Sequence, residues 1–456
     1  MIASRLSPHP SRSLTLAVSL FAALALLAMS ASPAQAAPGD LDPTFGGDGT
    51  VTSDFPQHGW GTAIAMQGCC RIVAVGYDGT VASGVRDIAV QRYLLNGALD
   101  PSFGTGGEVF TDLGGDDFAR DVVIQRDRKI IAAGDGGPNQ DVALVRYNTD
   151  GSLDASFGTG GSVLTDFGGN DVARGVAVQT DSKIVIAGFT LQPSADFILA
   201  RYNADGSLDP SFGTGGKVIT DFGGSDLGRG VAIQANGKIV AVGYSNYNFA
   251  LARYNTDGSL DPSFGTGGKV ITDFGENDVC RAVALQKDGK IICGGYTGTG
   301  LGGLDEASDQ EAGDDVGDFA MARYNTDGSL DSSFGTGGMV VTNYTGSMTD
   351  GEHARTVILQ RDGKIILAGN VAGSAALRAG QAPAGKAPPG DFGTVRYNAD
   401  GSVDTTFGVE GWAVTDFGGD DGARDAALQS DGKVVEIGIT GGFGGYQFAL
   451  ARYVTT

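Results

Sequence analysis

The chain has 456 residues, of which 76 are Gly, and its 53 Asp and Glu outweigh its 31 Lys and Arg, giving a net charge of −22. Glycine is more than twice as frequent as the usual share of roughly 7%, but the absence of a Gly-X-Y period excludes collagen, and 41% apolar residues can build a core. The negative charge excludes non-specific nucleic-acid binding, which needs basic side chains to neutralise phosphates.

The first 36 residues have the three parts of a secretory signal peptide. Arg5 and Arg12 form a basic region, an apolar run extends from Leu14 to Met29, and Ala34-Gln35-Ala36 provides a cleavage site. We therefore predict a secreted protein, periplasmic or extracellular, in which residues 37–456 contain no membrane span and carry a net charge of −24 (−22 minus two arginines). The alternative is an uncleaved membrane anchor, for which the run is short.

Residues 37–456 contain seven copies of one sequence unit. A Phe-Gly pair recurs at spacings of 58, 54, 55, 52, 70 and 73 residues, at Phe45, Phe103, Phe157, Phe212, Phe264, Phe334 and Phe407. The copy from Leu208 to Asn255 has four strand-like runs: Lys217–Phe222, Arg229–Gln234, Lys238–Gly243 and Phe249–Tyr254. Asn236-Gly237 predicts a tight type I′ turn between the second and third runs. Antiparallel four-stranded units repeated about every fifty residues are typical of β-propeller blades.

The two ends of the chain predict a closed ring. If Arg229–Gln234 is the innermost strand, A, and strands B, C and D follow it, the chain begins with a lone D strand, Gly49–Phe55, and ends on a lone C strand, Gln447–Tyr453. Pairing them completes a seventh blade from residues 49–55 and 422–453 and removes two unpaired edges. We predict an all-β fold with one domain, residues 37–456: a seven-bladed β-propeller of four-stranded antiparallel blades, closed by its N-terminal strand. An open solenoid of the same units is the alternative.

The amino-acid sequence of the repeat resembles that of a known family. Leu-Asp-Pro-Ser-Phe-Gly-Thr-Gly-Gly from Leu208, and later Asp-Gly-Lys-Ile and Ala-Arg-Tyr-Asn-x-Asp-Gly-Ser, resemble the delta-60 repeat family of secreted bacterial β-propeller proteins. The likeness extends over nearly all of residues 37–456. It implies a fold and an export route, and it brings no settled activity or catalytic residues.

An acid and an arginine in the spacing Asp-x-x-Arg stand at the start of strand A in six of the seven units. The pairs are Asp117/Arg120, Asp171/Arg174, Asp226/Arg229, Asp278/Arg281, Glu352/Arg355 and Asp421/Arg424. The first unit has Thr62 at the arginine position. We interpret the pairs as structural ion pairs that tie each D–A loop to a blade. The alternative is an anion site, because six guanidinium groups around a channel mouth could hold carboxylate or phosphate.

Two other residue types recur or stand out. A glutamine ends strand A in every unit, where its amide can satisfy backbone groups of the A–B turn: Gln67, Gln125, Gln179, Gln234, Gln286, Gln360 and Gln429. The four cysteines are expected to contribute little. Cys69 and Cys70 are adjacent, and the hairpin register predicts that Cys280 and Cys293 are too far apart for a disulfide.

The sequence demands no cofactor. Asn148-x-Asp150-Gly151-Ser152-x-Asp154 resembles the middle of an EF-hand loop, which raises calcium as a candidate, but Arg146 and Phe157 stand where the first and last ligands belong. Turn chemistry explains the spacing without a metal. Only His58 and His353 remain after residue 36, so neither a His-rich metal site nor a Ser-His-Asp triad is expected.

Two B–C connections are long, at residues 296–317 in the fifth unit and 370–390 in the sixth. The first carries six acids and no base, namely Asp305, Glu306, Asp309, Glu311, Asp314 and Asp315. The second carries Arg378 and Lys386 and no acid. B–C and D–A loops share one face of a propeller, so we hypothesise that the two loops pair electrostatically and form part of a binding surface. Two disordered insertions are the alternative.

These features favour binding over catalysis. We expect a rigid, monomeric scaffold that binds a protein or polymer partner at the cell envelope or outside the cell. One alternative is an extracellular hydrolase or lyase that uses Asp and Glu on the propeller face. Another is a structural envelope protein with no discrete ligand.

Overall fold

A computed structural model describes residues 36–53, 58–80, 85–191, 194–300, 316–344, 351–372, 390–442 and 445–456. These residues form seven four-stranded sheets, and they include no helix long and apolar enough to cross a membrane. In chain order the strands are β1 Thr50–Ser53, β2 Gly59–Gln67, β3 Arg71–Thr80, β4 Val85–Leu94, β5 Glu108–Thr111, β6 Phe118–Ile124, β7 Ile130–Gly136, β8 Asp141–Tyr147, β9 Ser162–Thr165, β10 Asp171–Val178, β11 Ile184–Thr190, β12 Asp196–Tyr202, β13 Lys217–Thr220, β14 Asp226–Ile233, β15 Ile239–Ser245, β16 Asn248–Tyr254, β17 Lys269–Thr272, β18 Asn277–Leu285, β19 Ile291–Gly300, β20 Val316–Tyr324, β21 Met339–Thr342, β22 His353–Leu359, β23 Ile365–Ala372, β24 Gly390–Tyr397, β25 Trp412–Thr415, β26 Gly422–Leu428, β27 Val434–Gly442 and β28 Gly445–Tyr453.

The seven sheets are the blades of a propeller, which confirms the predicted fold. Blades one to six are β2–β5, β6–β9, β10–β13, β14–β17, β18–β21 and β22–β25, each with its strands adjacent in chain order. In the fourth blade, strand A begins at Asp226, three residues before the predicted Arg229, because Asp226 pairs with Ser245 across the A–B hairpin.

The N-terminal strand closes the ring as predicted. The seventh sheet has the order β1-β28-β27-β26, and Thr50 to Ser53 pair antiparallel with Ala451 to Phe448. Asp42, just before β1, forms ion pairs with Lys433 at 2.7 Å and Arg452 at 2.8 Å. Closure therefore combines a strand ladder with a buried carboxylate that joins the two ends of the chain.

The core lies in the seams between neighbouring blades. In one seam Val185 and Leu199 of the third blade pack in one cluster with Ile239 and Ala250 of the fourth, and Phe212 belongs to the same cluster. Strand B is buried along its full length in this blade, since β15 has no exposed residue. Apolar residues on both faces of the inner strands are what stacking of blades requires, because each face meets another sheet.

The A–B turns differ from the type I′ turns predicted by Asn-Gly and Asp-Gly. Ile233 pairs with Ile239, and the Gln234 amide donates to the Lys238 carbonyl, so the loop has three residues rather than two. Gly237 has a φ of 82°, whereas Asn236 is not in the positive-φ region that a type I′ turn requires at both positions. A three-residue loop with one left-handed residue fits a type I turn followed by a bulge.

The expectation that Cys280 and Cys293 are too far apart is wrong. Their Cα atoms are 6.0 Å apart and the two residues form a disulfide, within the usual range of Cα separations. The three-residue loop and a bulge between Cys280 and Ala282 shift the register, so Cys280 lies opposite Gly295, only two residues from Cys293. Cys69 and Cys70 also form a disulfide, in the exposed A–B loop of the first blade.

An arginine of strand C locks each blade to the next. The Arg253 Nε donates to Asp261 Oδ2 at 2.6 Å, the Arg253 Nη1 donates to the Thr326 carbonyl of the following blade, and the guanidinium lies 4.5 Å from the ring centroid of Phe264. The Lys238 Nζ binds the same carboxylate at 2.6 Å. The equivalent strand-C arginines are Arg92, Arg146, Arg201, Arg323, Arg396 and Arg452.

Candidate functional site: an arginine ring at the channel mouth

The D–A and B–C connections share one face of the propeller, as predicted. The Asp117 amide in a D–A loop donates to the Arg86 carbonyl at the start of strand C at 2.8 Å. The amides of Glu352 and Asp421 bond in the same way to Gly317 and Gly390, which stand at the ends of the two long insertions. The insertions therefore leave the propeller beside the D–A loops of the sixth and seventh blades.

The proposed binding residues of these insertions lie outside the described residues. This applies to the acids Asp305, Glu306, Asp309, Glu311, Asp314 and Asp315 and to the bases Arg378 and Lys386. Electrostatic pairing of the two loops stays a prediction.

The arginines of the six Asp-x-x-Arg units come together at the centre of the propeller. They line one cavity of about 100 Å³, together with Trp60 and Thr62 of the first blade: Arg120, Arg174, Arg229, Arg281, Arg355 and Arg424. Each arginine comes from strand A of a different blade. We call this set of residues the arginine ring.

A β-bulge puts the arginine into this position in every blade that has one. In the third blade the pairing of β10 with β11 jumps from Ala173 to Gly175, and Arg174 is the residue left out of the ladder. The same jump leaves out Arg229 between Gly228 and Gly230, and Thr62 between Gly61 and Ala63. Because a bulged residue is released from strand alternation, its side chain can be re-aimed, here into the channel mouth.

Aromatic side chains support the guanidinium groups of the ring. Arg120 lies over Phe118, Arg174 over Phe189, Arg229 over Phe189 and Tyr244, Arg281 over Tyr296 and Arg424 over Trp60, at 4.5 to 5.9 Å from the ring centroids. Stacking of this kind holds the plane of a guanidinium against the aromatic ring, while its N–H groups, which lie at the edge of the plane, can hydrogen-bond to other groups. Arg120 also forms a buried ion pair with Asp135 at 2.7 Å.

Buried hydrogen-bond donors of Trp60 and Arg424 in the ring have no acceptor among the described residues. They are Nε1 of Trp60 and Nε and Nη1 of Arg424. Trp60 is only 8% exposed, and Arg424 stacks on it at 5.2 Å. Buried donors normally find an acceptor, either in the protein or in an ordered water or a ligand.

The acids of the Asp-x-x-Arg units close the D–A loops. Asp278 accepts the Phe274 amide at 2.6 Å and the Thr297 hydroxyl, and burial raises the pKa of Asp278 to about 6. The other five acids likewise accept a backbone N–H from their own D–A loop: Asp117, Asp171, Asp226, Glu352 and Asp421. An ion pair within each unit stays a prediction.

Two further carboxylates adjoin the ring in sequence and join neighbouring A strands. Asp121, next to Arg120, accepts the Val176 amide of the third blade at 2.7 Å, and Asp425, next to Arg424, accepts the Ile64 amide of the first blade at 3.0 Å. Burial and the nearby Asp425 raise the pKa of Asp121 to about 7, and burial raises the pKa of Asp425 to about 6. These acids act as joints between blades.

The EF-hand-like segments are turns. Asp150 accepts both the amide and the hydroxyl of Ser152, at 3.0 and 2.6 Å, and these bonds lower the pKa of Asp150. Asp154 belongs instead to the strand-C lock, where it pairs with Arg146 at 2.7 Å. This accounts for the Asn-x-Asp-Gly-Ser-x-Asp spacing by hydrogen bonds within the repeat.

A larger groove of about 580 Å³ lies among Phe167, Lys217, Ile219 and the turn 257–259. Its lining consists of turn and strand-D residues whose counterparts recur in neighbouring repeats, such as Thr266 and Lys269. The arginine ring differs because all seven blades contribute to one cavity.

Comparisons with known proteins agree with the fold. A protein-family model described as "Domain of unknown function (DUF5122) beta-propeller" matches residues 71–103, 125–157, 179–212, 234–264, 307–334 and 385–407, which together make up less than half of the chain. The match supports assignment to a β-propeller repeat family. No curated protein matches the chain.

Several solved structures are similar to this chain. A virginiamycin B lyase from Staphylococcus aureus is 8% identical, with a TM-score of 0.51, over 89% of this chain and 99% of the lyase. A streptogramin B lyase is 10% identical, with a TM-score of 0.48, over 88% and 97% of the two chains. A polysaccharide lyase is 10% identical, with a TM-score of 0.44, over 89% and 91%. At these identities the likeness concerns the fold alone.

Proposed function

We propose that the protein is an exported binding module of the delta-60 type, and that its arginine ring holds an anionic group presented by a partner. The observation that carries this proposal is the convergence of six arginines from six blades on one cavity of about 100 Å³. Guanidinium groups bind carboxylate, sulfate and phosphate through paired N–H donors.

The size of the cavity limits what can enter it. A cavity of about 100 Å³ has room for one carboxylate, sulfate or phosphate group. The rest of the ligand would stay outside, on the face where the two long insertions leave the propeller. This favours a protein or polymer partner that projects an anionic group.

The chemistry of the mouth favours binding over hydrolysis. Asp121 and Asp425 accept backbone N–H bonds from neighbouring blades, which commits them to holding the ring together. The donors of Trp60 and Arg424 without an acceptor among the described residues suit recognition of a negative group.

An anion titration with matched variants tests this function. Sulfate, phosphate and citrate are titrated calorimetrically into the purified protein, its Arg424→Gln and Trp60→Phe variants, and Arg126→Gln as a control for loss of charge at an exposed A–B turn. A charge-assisted hydrogen bond contributes roughly 1.5–3 kcal/mol, so Arg424→Gln should weaken binding about ten- to a hundredfold, while Arg126→Gln leaves it unchanged. Equal affinity in all four proteins would contradict the proposal.

A further inference from the structure

Three aspartates meet at the edge of the same face in four blades. One comes from the start of strand C, one from the residue after strand D, and one from the start of the next strand A. Within the described residues, each set has carboxylate oxygens within 4.8 Å of one another: Asp87/Asp112/Asp117, Asp141/Asp166/Asp171, Asp196/Asp221/Asp226 and Asp391/Asp416/Asp421. We call these sets the aspartate triads.

The triad of the third blade leaves one buried oxygen without a donor. Asp196 is 7% exposed, and its Oδ2 accepts the Ser194 hydroxyl at 2.7 Å. Its Oδ1 is buried and has no hydrogen-bond partner among the described residues. Asp226 is fully buried, whereas Asp221 is exposed. The triad therefore has two buried members, Asp196 and Asp226, and one solvent-exposed member, Asp221.

The fifth blade provides an internal comparison. There Asn343 occupies the position of Asp221, and Asp318 occupies that of Asp196. The Asn343 Nδ2 donates to Asp318 Oδ1 at 2.7 Å. The strand-C aspartate thus has an oxygen without a donor in the third blade, whereas an amide donates to its counterpart in the fifth. An ionised aspartate at this position cannot donate a hydrogen bond to the strand-C carboxylate. A bound cation would take the place of the amide donor.

The three carboxylates of a triad repel one another, because their oxygens lie within 4.8 Å of one another. The Lys269 ammonium group bonds the main-chain carbonyl of Asp221 at 2.8 Å. A cation bound between the carboxylates would remove this repulsion.

We propose that the aspartate triads are binding sites for a hard divalent cation, with calcium as the best match. All ligands are carboxylate oxygens, which suit calcium and magnesium and not softer metals. Calcium accepts six to eight oxygens in flexible geometry and fills open positions with water, as the exposed member of each triad allows. The triads share no residue with the arginine ring or with the EF-hand-like turns.

Calcium stoichiometry tests the proposal. The purified protein is dialysed against calcium at about 1 mM, the upper affinity range of extracellular calcium modules, and bound calcium is measured by atomic emission. We expect four ions per chain, one for each triad. Asp221→Asn, which copies Asn343, should remove one ion, and the quadruple change of Asp112, Asp166, Asp221 and Asp416 to Asn should remove all of them. Glu276→Gln, an exposed acid beside the fourth blade, should change nothing.

A gain-of-site variant guards against effects of misfolding. The fourth blade has Asn248 in place of the strand-C aspartate, together with Asp273 and Asp278. Asn248→Asp should complete a triad and raise the count to five. The proposal is overturned if the unmodified protein binds no calcium, or if the quadruple variant binds as many ions as the unmodified protein.

Discussion

The residue left out of the ladder in strand A determines the character of the channel mouth. In six blades this residue is an arginine, and in the first it is Thr62, whose hydroxyl donates to the Ala119 carbonyl at 2.8 Å and the Val75 carbonyl at 3.1 Å. The ring is therefore positive on six sides and neutral on one. Trp60 lies on the neutral side and extends the donor set with its indole N–H.

A single residue in an A–B turn offers a test of local strain. Arg128 has a φ of 69° and occupies the turn position at which most blades have glycine. A left-handed conformation costs a non-glycine residue about 1–2 kcal/mol, partly offset by the greater unfolded-state freedom of glycine. Arg128→Gly should therefore raise the free energy of unfolding by about 0.5–1 kcal/mol in a urea titration.

The reverse change serves as the control for this prediction. Gly363 has a φ of 90°, and a Cβ there would meet nothing closer than 3.8 Å. Gly363→Ser should therefore lower stability through backbone strain alone. If both substitutions shifted stability in the same direction, strain at this turn position would not be the cause.

A buried glutamate makes stability depend on pH. Glu436 is fully buried, accepts the Thr394 hydroxyl, and burial raises its pKa from 4.5 to about 8. Between these pH values the unfolded chain loses the proton while the folded protein keeps it. Because the folded state then binds more protons, stability falls as pH rises through this interval and levels off above the folded pKa.

Removing the charge of Glu436 should remove that slope. Relative to the unmodified protein, Glu436→Gln should gain roughly 1 kcal/mol of stability for each pH unit between pH 5 and pH 8. Urea titrations at pH 5, 6.5 and 8 measure the difference. Glu276→Gln, at an exposed acid, should show a constant difference. A flat comparison for Glu436→Gln would mean that Glu436 is ionised in the folded protein.

At the scale of strands, an ionic lock complements the ladders. Asp261 receives bonds from Arg253, Lys238 and Ser263; although burial raises the pKa of this carboxyl, these bonds hold it well below its usual value. The same arrangement recurs at the closing seam, where Asp42 is held by Lys433 and Arg452 with a pKa of about 2. Its contribution to stability is present above pH 4 and is lost as the pH falls through the folded pKa.

The ion pairs at the closing seam predict that Asp42 contributes more to stability than Asp48. Asp42→Asn leaves the buried Arg452 without its carboxylate, and breaking a buried pair in this way costs about 3 kcal/mol. Asp48→Asn, in the same segment, changes an exposed residue that accepts bonds from Thr50 and should cost little. Thermal unfolding of the two variants measures the difference. Equal melting temperatures would show that the strand ladder alone closes the ring.

The sequence pattern predicts blades and closure well because both depend on periodicity. The position of the D–A loops beside the B–C loops also follows from the topology. The bulge at Arg174 and its equivalents could not be predicted, because alternation of strand residues does not reveal where one residue drops out of the ladder. Arg253 was missed for a related reason: Ala-Arg-Tyr is typical of a strand, and only the packed structure reveals its contact with Thr326.

The sequence of the A–B turns contains a signal against the predicted type I′ turn. Arg128 and Ser182 stand where four other units have glycine. A type I′ turn requires two positive φ angles, which such residues tolerate poorly, whereas a three-residue loop requires only one. The same shift explains the Cys280–Cys293 disulfide.

At the scale of the whole molecule, charge is unevenly distributed. The chain carries a net charge of −22, yet six arginines meet at one cavity, and four aspartate triads lie on the face that surrounds it. Fixed positive groups in a negative protein focus an anionic ligand on one place. Calcium at the triads would lower the negative charge of this face and favour the approach of such a ligand.

The most direct test of the central claim is the location of a bound anion. Crystals of the protein are soaked in selenate, a tetrahedral dianion, and its anomalous scattering is measured at the selenium edge. We predict a peak in the channel mouth, within about 3 Å of guanidinium nitrogens of the ring, that disappears in Arg424→Gln crystals. A mouth that holds only water, while selenate occupies other surfaces of the same crystal, would contradict the account.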